Sequence, residues 1–298
     1  MSHFADRVLA DIEAKRSHVV LGLDPDYAAL PPAVREKHEA LDYRGELDRA
    51  AGACREFLLT LLSGLVHQVV AVKPQLAYFE ALGAPGYALY LEVVKAALSL
   101  GYVVIADAKR GDIGSTAEAY ARAHLEVAGA DAVTVNPWFG SDGLEPFLRR
   151  AREEGKGVFV LVKTSNATSA EIQDRELADG DLVYERIAGL LRGWADGTRG
   201  ERGYASVAAV VGGTHPAQAA ALRAALPGIL FLVPGYGAQG ARAADLAGVF
   251  DRDGTGALVN SARAILYAYR VRSAPWVEAA REEAESMRAA LWRAAGRG

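Results

Sequence analysis

The sequence predicts an α/β fold: a single (β/α)8 TIM barrel with an N-terminal helix and insertions on the active-site face. Short β-branched runs recur along the chain, each ending in Gly, Pro, Asp or Lys. Most are followed by a stretch of helical composition, and that alternation is the signature of βα units around a parallel sheet. The runs number eight in 298 residues, and eight units in about 250 residues or more suit a closed barrel.

The runs are HVVLGLDP (18–25), VVAVKPQ (69–75), YVVIADAKR (102–110), AVTVNPW (132–138), GVFVLVKT (157–164), VAAVVGG (207–213), ILFLVPG (229–235) and ALVNSAR (257–263). Between them, segments 86–100, 115–128, 144–154, 182–194, 216–225 and 241–248 are rich in Ala, Leu and Glu and read as helices. Surplus residues gather at 27–49 after the first strand and 165–181 after the fifth, on the side where insertions decorate an active site. At the start, Phe4, Val8 and Ile12 recur every four residues with charges between them, an amphipathic helix serving as a cap or flap. Residues 276–292 read as a terminal helix. An open doubly wound sheet shares the same alternation and is the rival architecture. No linker or break in composition divides the chain, so one domain over 1–298 is expected.

Lys and Arg total 33 against 37 Asp and Glu, a net charge of −4 that offers no basic footprint for nucleic acid. With 51% hydrophobic and 23% charged residues the composition is globular. A lone Cys54 can form no internal disulfide and suits a reducing compartment, so a cytoplasmic protein is expected. Nowhere does the chain offer the ~20 consecutive apolar residues of a membrane-spanning helix, so neither export nor membrane insertion is expected. Six scattered histidines, His215 among them, lack metal-ligand spacing, and no metal is expected.

Catalytic side chains of such barrels project from the C-terminal ends of strands, and here those ends are polar. The first strand ends in Asp24, the second in Lys73, the third in Asp107 and Lys109, and the fifth in Lys163 before Ser165 and Asn166. In D107-A-K109-R-G-D112-I, alternation puts Asp107 and Lys109 on one face, toward the barrel mouth, with Asp112 just beyond. A lone Asp-x-Lys is more often a structural ion pair. Lys73 and Asp24 at neighbouring ends make it an array whose desolvation cost is usually retained for function.

After the seventh strand, Gly235, Gly237 and Gly240 free the backbone to approach a ligand, although a tight turn would need them equally. The eighth run closes in N260-S-A-R263, and loops after strands seven and eight commonly bind phosphate. Arg263 can grip a phosphate with two parallel hydrogen bonds while Gln239 and loop amides add donors, so a phosphorylated substrate follows. Trp138, Tyr236, Tyr267 and Tyr269 read as packing residues, and Ser165 has no partners for a nucleophilic triad.

Residues 107–117, D-A-K-R-G-D-I-G-S-T-A, resemble the signature of the orotidine monophosphate decarboxylase family in its longer bacterial form. The resemblance continues through L-G-L-D-P at 21–25, V-K-P-Q at 72–75, V-K-T-S-N at 162–166, P-G-Y-G-A-Q-G at 234–240 and N-S-A-R-A-I-L-Y-A at 260–268. It implies a cofactor-free decarboxylation of orotidine 5'-monophosphate to uridine 5'-monophosphate by a homodimer with shared active sites. By position it implies a charged network of Lys73, Asp107 and Lys109 from one subunit with Asp112 from the other. Lys109 would stabilise and protonate the C6 carbanion, with Asp107 beside the carboxylate. Asp24 and Lys73 would hold the ribose hydroxyls, Thr116 would reach across with Asp112, and Ser165 would meet the pyrimidine amide. Gln239 and Arg263 would hold the phosphate under a closing loop. Ala167 and Ala262 depart from the usual Pro and Ser, which bears on loop geometry rather than chemistry.

Three other readings compete. A magnesium-dependent sugar-phosphate decarboxylase or aldolase of the sister barrel lineage would use the acids as metal ligands. A Schiff-base aldolase would use Lys73, Lys109 or Lys163 as a deprotonated amine. A catalytically inactive barrel acting as a binding scaffold is the third.

Overall fold

The structure is a computed structural model that describes residues 3–237 and 240–298. Eight strands follow one another in parallel: β1 (Val19–Leu23), β2 (Ala71–Pro74), β3 (Val103–Arg110), β4 (Ala132–Val135), β5 (Gly157–Lys163), β6 (Ala205–Val211), β7 (Ile229–Val233) and β8 (Ala257–Ser261). Each pairs with its sequence neighbours, and β1 pairs with β8 in the register Val19↔Val259 and Val20↔Asn260. That closure excludes the open doubly wound sheet.

Parallel strands buried on both faces read as near-continuous apolar runs, which is why the sequence disclosed them. Val19, Leu21, Val72, Val104, Val133, Val158 and Val160 face the surrounding helices in one large core. Val20, Ala71, Ile105, Phe159, Leu230 and Leu258 fill the barrel's inside. Burial of a Val, Leu, Ile or Phe side chain stabilises by about 1.5–3 kcal/mol, so the two cores dominate the folding energy.

The N-terminal helix, Phe4–Lys15, is a cap and not a flap. Phe4, Val8, Leu9 and Ile12 are buried against the barrel's inner cluster, with the Phe4 ring edge-on to Phe159 at 5.8 Å. Gly157 opens β5 because a Cβ there would lie 2.6 Å from the Phe4 ring. The helix therefore seals the end of the barrel opposite the strand C-termini.

Of the expected helices, 216–225 matches Pro216–Ala225, and 144–154 begins earlier, at Gly140. Segment 115–128 divides into an α-helix, Gly114–Arg122, and a wider π turn, Ala123–Val127. Segment 241–248 forms the tighter 3-10 helix Ala243–Val249, where the Asp245 side chain accepts from the Arg242 N–H at 2.9 Å. The insertion at 27–49 folds into a 3-10 turn (Tyr27–Ala29), a helix (Pro32–Glu39) and the start of a longer helix (Glu46–Gly64). Against the latter packs the terminal helix Trp276–Ala294, with Trp276 5.2 Å from Phe57. Among the described residues no helix is long and apolar enough to cross a membrane.

Candidate active site

At the C-terminal end of the barrel the inward positions of successive strands form one layer. The register aligns Gly22 with Lys73, and Leu161 with Val210 and then Leu232, while Val20 aligns with Asn260. Together with Asp107, Lys109 and Thr134 the polar members of this layer line a cavity of about 370 Å³, walled by Asp24, Gln75, Thr164, Ser165, Asn166 and Pro234. Gly22 has no side chain there because a Cβ would lie 2.6 Å from the Ala262 Cβ, so the small residue at 262 and the glycine fit each other.

Asp107 is the hub. Both Lys73 and Lys109 donate to it, Lys73 to Oδ2 and Lys109 to Oδ1 at 2.5 Å. Gln75 Nε2 also donates to Oδ2 at 2.9 Å, and Thr134 Oγ1 to Oδ1 at 2.9 Å. Burial alone would push the Asp107 carboxyl up, but the two ammonium groups outweigh it and hold it well below the usual carboxylate range. Burial likewise pulls the Lys73 ammonium down, and Asp107 and Asp24 more than reverse it. Both groups are thus ionised at neutral pH.

Lys109 reaches the hub through unusual backbone. Between Ala106↔Val133 and Arg110↔Val135, β3 carries two residues more than β4. An even insertion preserves the alternation, so Asp107 and Lys109 do share a face as expected. Lys109 itself sits at φ 48°, in the left-handed region, and its N–H finds the Thr134 hydroxyl at 2.9 Å instead of a carbonyl. Such a conformation costs about 1–3 kcal/mol and persists only where its surroundings enforce it. The Lys109 side chain remains 45% exposed, so its ammonium can meet both Asp107 and a molecule in the cavity.

Asp24 is half-buried, and its Oδ1, taken out of solvent, has no hydrogen-bond partner among the described residues; Asn260 Oδ1 is in the same situation. Burial pushes the Asp24 carboxyl up, with Lys73, Lys109 and Arg263 pulling the other way. Two buried acceptors on one cavity are suited to hydroxyl donors. The Tyr267 hydroxyl donates to Asp24 O at 3.1 Å and accepts from Asp26 N at 2.9 Å, so this tyrosine fixes the strand end as well as packing on Phe57.

Ser165 lies on the cavity wall as expected. Gly235, Gly237 and Gly240 have φ of 108°, 71° and 99°, which glycine alone adopts without strain. Gly237 lies against the turn that Arg263 opens, a Cβ there falling 3.6 Å from the Ala264 Cβ. β8 stops at Ser261, so Arg263 is the exposed first residue of the next helix rather than a strand-end group. Gln239 lies outside the described residues.

Some groups are not brought together. Asp112 and Thr116 do not line the cavity; Asp112 Oδ1 accepts from the Ile113 N–H at 2.8 Å, and Thr116 is exposed on the helix Gly114–Arg122. Lys163 also stands apart. A one-residue bulge between Leu161↔Val210 and Lys163↔Val211 turns it to the outer face, where it is fully buried with its Nζ 2.7 Å from Asp174. Trp138 is 74% exposed and packs on little within the chain, which corrects its reading as a packing residue. Sequence reasoning missed Thr134 and Gln75. The available signals were a single hydroxyl at an inward position of A-V-T-V and an amide directly after V-K-P.

A model of the Orotidine 5'-phosphate decarboxylase / HUMPS family matches residues 17–275. A Deinococcus radiodurans protein named orotidine 5'-phosphate decarboxylase is 43% identical over 286 residues, covering 96% of this chain and 95% of that one. The structure of Leishmania donovani OMP decarboxylase superposes with a TM-score of 0.76 at 33% identity, over 97% of this chain and 99% of that one. Leishmania donovani UMP synthase gives 0.78 at 35% identity over 98% of this chain, which spans 57% of the length of that longer protein. A closed barrel with a doubly lysine-bound aspartate at its mouth, matched over most of its length by these proteins, belongs to the orotidine 5'-phosphate decarboxylase / HUMPS family.

Proposed function

We propose that the chain decarboxylates orotidine 5'-monophosphate to uridine 5'-monophosphate, a step in pyrimidine nucleotide synthesis, without a cofactor. Residues 1–298 act as one decarboxylase domain in the cytosol. The observation that carries this reading is Asp107: a buried, ionised carboxylate with a lysine on each oxygen at the strand ends.

Loss of CO₂ from C6 leaves an sp² carbanion that the ring cannot delocalise. The site must therefore supply positive charge at that atom. The Lys109 ammonium, fixed on enforced backbone and facing the cavity, stabilises the developing charge; a preorganised charge in a water-poor site outperforms the same charge in water. The N–H bond then breaks as C6–H forms. Asp107, next to the departing carboxylate, repels it in the bound state, and the repulsion is relieved as neutral CO₂ leaves. Lys73 keeps Asp107 ionised and, with the Asp24 carboxylate, whose Oδ1 has no partner among the described residues, receives the ribose hydroxyls. Ser165 addresses the pyrimidine amide, and Arg263, Gln239 and the loop of Gly235, Gly237 and Gly240 hold the phosphate. Binding energy at that remote phosphate assembles the site around C6.

The working unit is a homodimer in which Asp112 of the partner subunit completes the charged network, with Thr116 beside it. Exposed Ile113 and Phe139 support this reading: Ile113 follows Asp112 in the chain and Phe139 lies with the Asp112 carbonyl against Gly143, apolar surface beside Asp112 that a second copy would bury. The metal-dependent alternative is disfavoured by Asp107 itself, since both its oxygens are already taken by donors. The Schiff-base alternative is disfavoured by a Lys73 held charged and a Lys163 tied to Asp174.

Mixing inactive Lys109→Ala and Asp112→Asn homodimers tests the shared site. Subunit exchange should place one intact site in each mixed dimer and restore part of the turnover. No recovery after proven exchange would reject sharing.

A further inference from the structure

Lys163 is a buried cation that the proposed chemistry does not use. Its ammonium, with a fully buried side chain, donates to Asp174 Oδ1 at 2.7 Å and to Ser169 Oγ at 3.2 Å, and lies 5.7 Å from the centroid of the Tyr184 ring. Gln218 Nε2 donates to the same Asp174 oxygen at 3.2 Å. Asp174 and Ser169 both belong to the insertion after β5, and the same insertion contributes Thr164, Ser165 and Asn166 to the cavity wall. The chain thus leaves the barrel at Lys163, passes the cavity, and is tied back to Lys163 eleven residues later.

A second tie closes the same loop. The Thr164 N–H donates to Gln173 Oε1 at 2.9 Å, and Gln173 Nε2 donates to Thr164 Oγ1 at 2.8 Å, a two-point clasp across the loop's base. Thr164 Oγ1 in turn donates to Asn166 Oδ1 at 2.6 Å. From the β6 side, Thr214 Oγ1 donates to Ser165 O at 3.0 Å, and Gly212 leaves room for the backbone, since a Cβ there would lie 2.8 Å from Ser165 Cα. Ser165 is thus held by Thr214 and the close Gly212 backbone, and by the fixing of Thr164 and Asn166 on either side, and none of these contacts uses its hydroxyl. A charge taken fully out of water is costly unless well paired, so a buried lysine whose carboxylate partner sits on a surface loop is a costly way to hold that loop.

We infer that Lys163, Asp174 and Gln173 are positioning residues that set Ser165 and Asn166 against the pyrimidine end of the substrate. The inference rests on the assignment of Ser165 to the pyrimidine. It predicts a selective defect: loosening the clasp weakens recognition of the base and leaves the ribose phosphate end, bound by Asp24, Lys73 and Arg263, as it was.

The test is calorimetric binding of uridine 5'-monophosphate and of ribose 5-phosphate to wild type, Lys163→Met and Gln173→Ala, with steady-state turnover in parallel. Gln173→Ala leaves every buried charge paired and serves if Lys163→Met does not fold. The expected result is about a tenfold loss of nucleotide affinity and a matching rise in KM, the cost of a displaced hydrogen bond to the base. Ribose 5-phosphate affinity should be unchanged, and Gln173→Ala made in a Ser165→Ala background should add nothing. Equal losses for both ligands, or undiminished nucleotide affinity in Gln173→Ala, would overturn the positioning role. Failure of the wild type to turn over orotidine 5'-monophosphate would instead overturn the proposed function, so the two failures are distinct.

Discussion

Thr134→Val is the sharpest probe of how the charged hub is held. Valine matches threonine in shape, so no cavity opens and only hydrogen bonds change. Two are lost at a buried position: the hydroxyl's donation to Asp107 Oδ1 and its acceptance of the Lys109 N–H, both at 2.9 Å. A hydrogen bond to a charged group contributes about 1.5–3 kcal/mol, and the part-buried Lys109 N–H left without its partner costs toward the lower end of the about 1–3 kcal/mol of a buried one. Because the two share one atom they do not add fully, and a net loss of about 2–4 kcal/mol is expected. The N–H bond also helps to hold Lys109 at φ 48°. Released, the lysine relaxes toward an ordinary strand conformation and its ammonium leaves the productive position, lowering kcat by about 100-fold. Urea unfolding monitored by tryptophan fluorescence gives the first quantity and orotidine 5'-monophosphate absorbance the second. Thr134→Ser keeps the hydroxyl and should retain most of the turnover. If Thr134→Val stays within about 0.5 kcal/mol of wild type, the range of an inconsequential surface change, and turns over normally, the hydroxyl is not the anchor described.

Two further outcomes follow from the same geometry. Burial pushes His18 and His124 down to about 4, below the 6.5 of an unfolded histidine. The unfolded chain therefore binds two protons that the folded chain refuses, and their stabilising effect, complete above pH 6.5, is lost as pH falls toward 4, by at most about 1.4 kcal/mol per pH unit for each histidine. Urea unfolding at pH 7, 6 and 5 should show the decline, steepest below pH 6, and a flat profile would contradict it. Arg263→Ala should weaken uridine 5'-monophosphate binding by about tenfold or more, as the loss of a charge-assisted contact costs about 1.5–3 kcal/mol, while leaving unfolding unchanged. Unaltered affinity would remove Arg263 from the phosphate site.

Much of the barrel was legible because parallel strands buried on both faces carry little besides Val, Ile, Leu and Ala, and each announces its end with Gly, Pro or a charge. The polar strand ends also pointed to Lys73 and Asp107, and both line the cavity, Lys73 pairing in register with Gly22. Lys163, named as another strand end, lies apart from the cavity because one extra residue reverses its face, and no residue type there marks a bulge. At Lys109 alternation gave the right face for an incomplete reason: a two-residue excess and a left-handed lysine are properties of the β3 to β4 pairing, which the local sequence does not encode. Thr134 went unnoticed because threonine is an ordinary strand former, and its importance comes from the aspartate opposite. Segment 241–248 has helical composition, but Gly248 passes so close to Ala220 that a Cβ would lie 2.9 Å away, and this packing is seen only in three dimensions. Asp112 and Thr116 stand outside the cavity of a single chain, and any part they played in the chemistry would need a second copy.

In the proposed chemistry a fixed ammonium, Lys109, drives loss of CO₂ from the nucleotide without help from a metal. Its most direct test is the decrease in orotidine 5'-monophosphate absorbance with purified wild type and Lys109→Ala, each with and without EDTA. EDTA should leave wild-type turnover intact and Lys109→Ala should abolish it, while the variant still binds uridine 5'-monophosphate. Turnover that EDTA removes, or that survives the loss of Lys109, would contradict it.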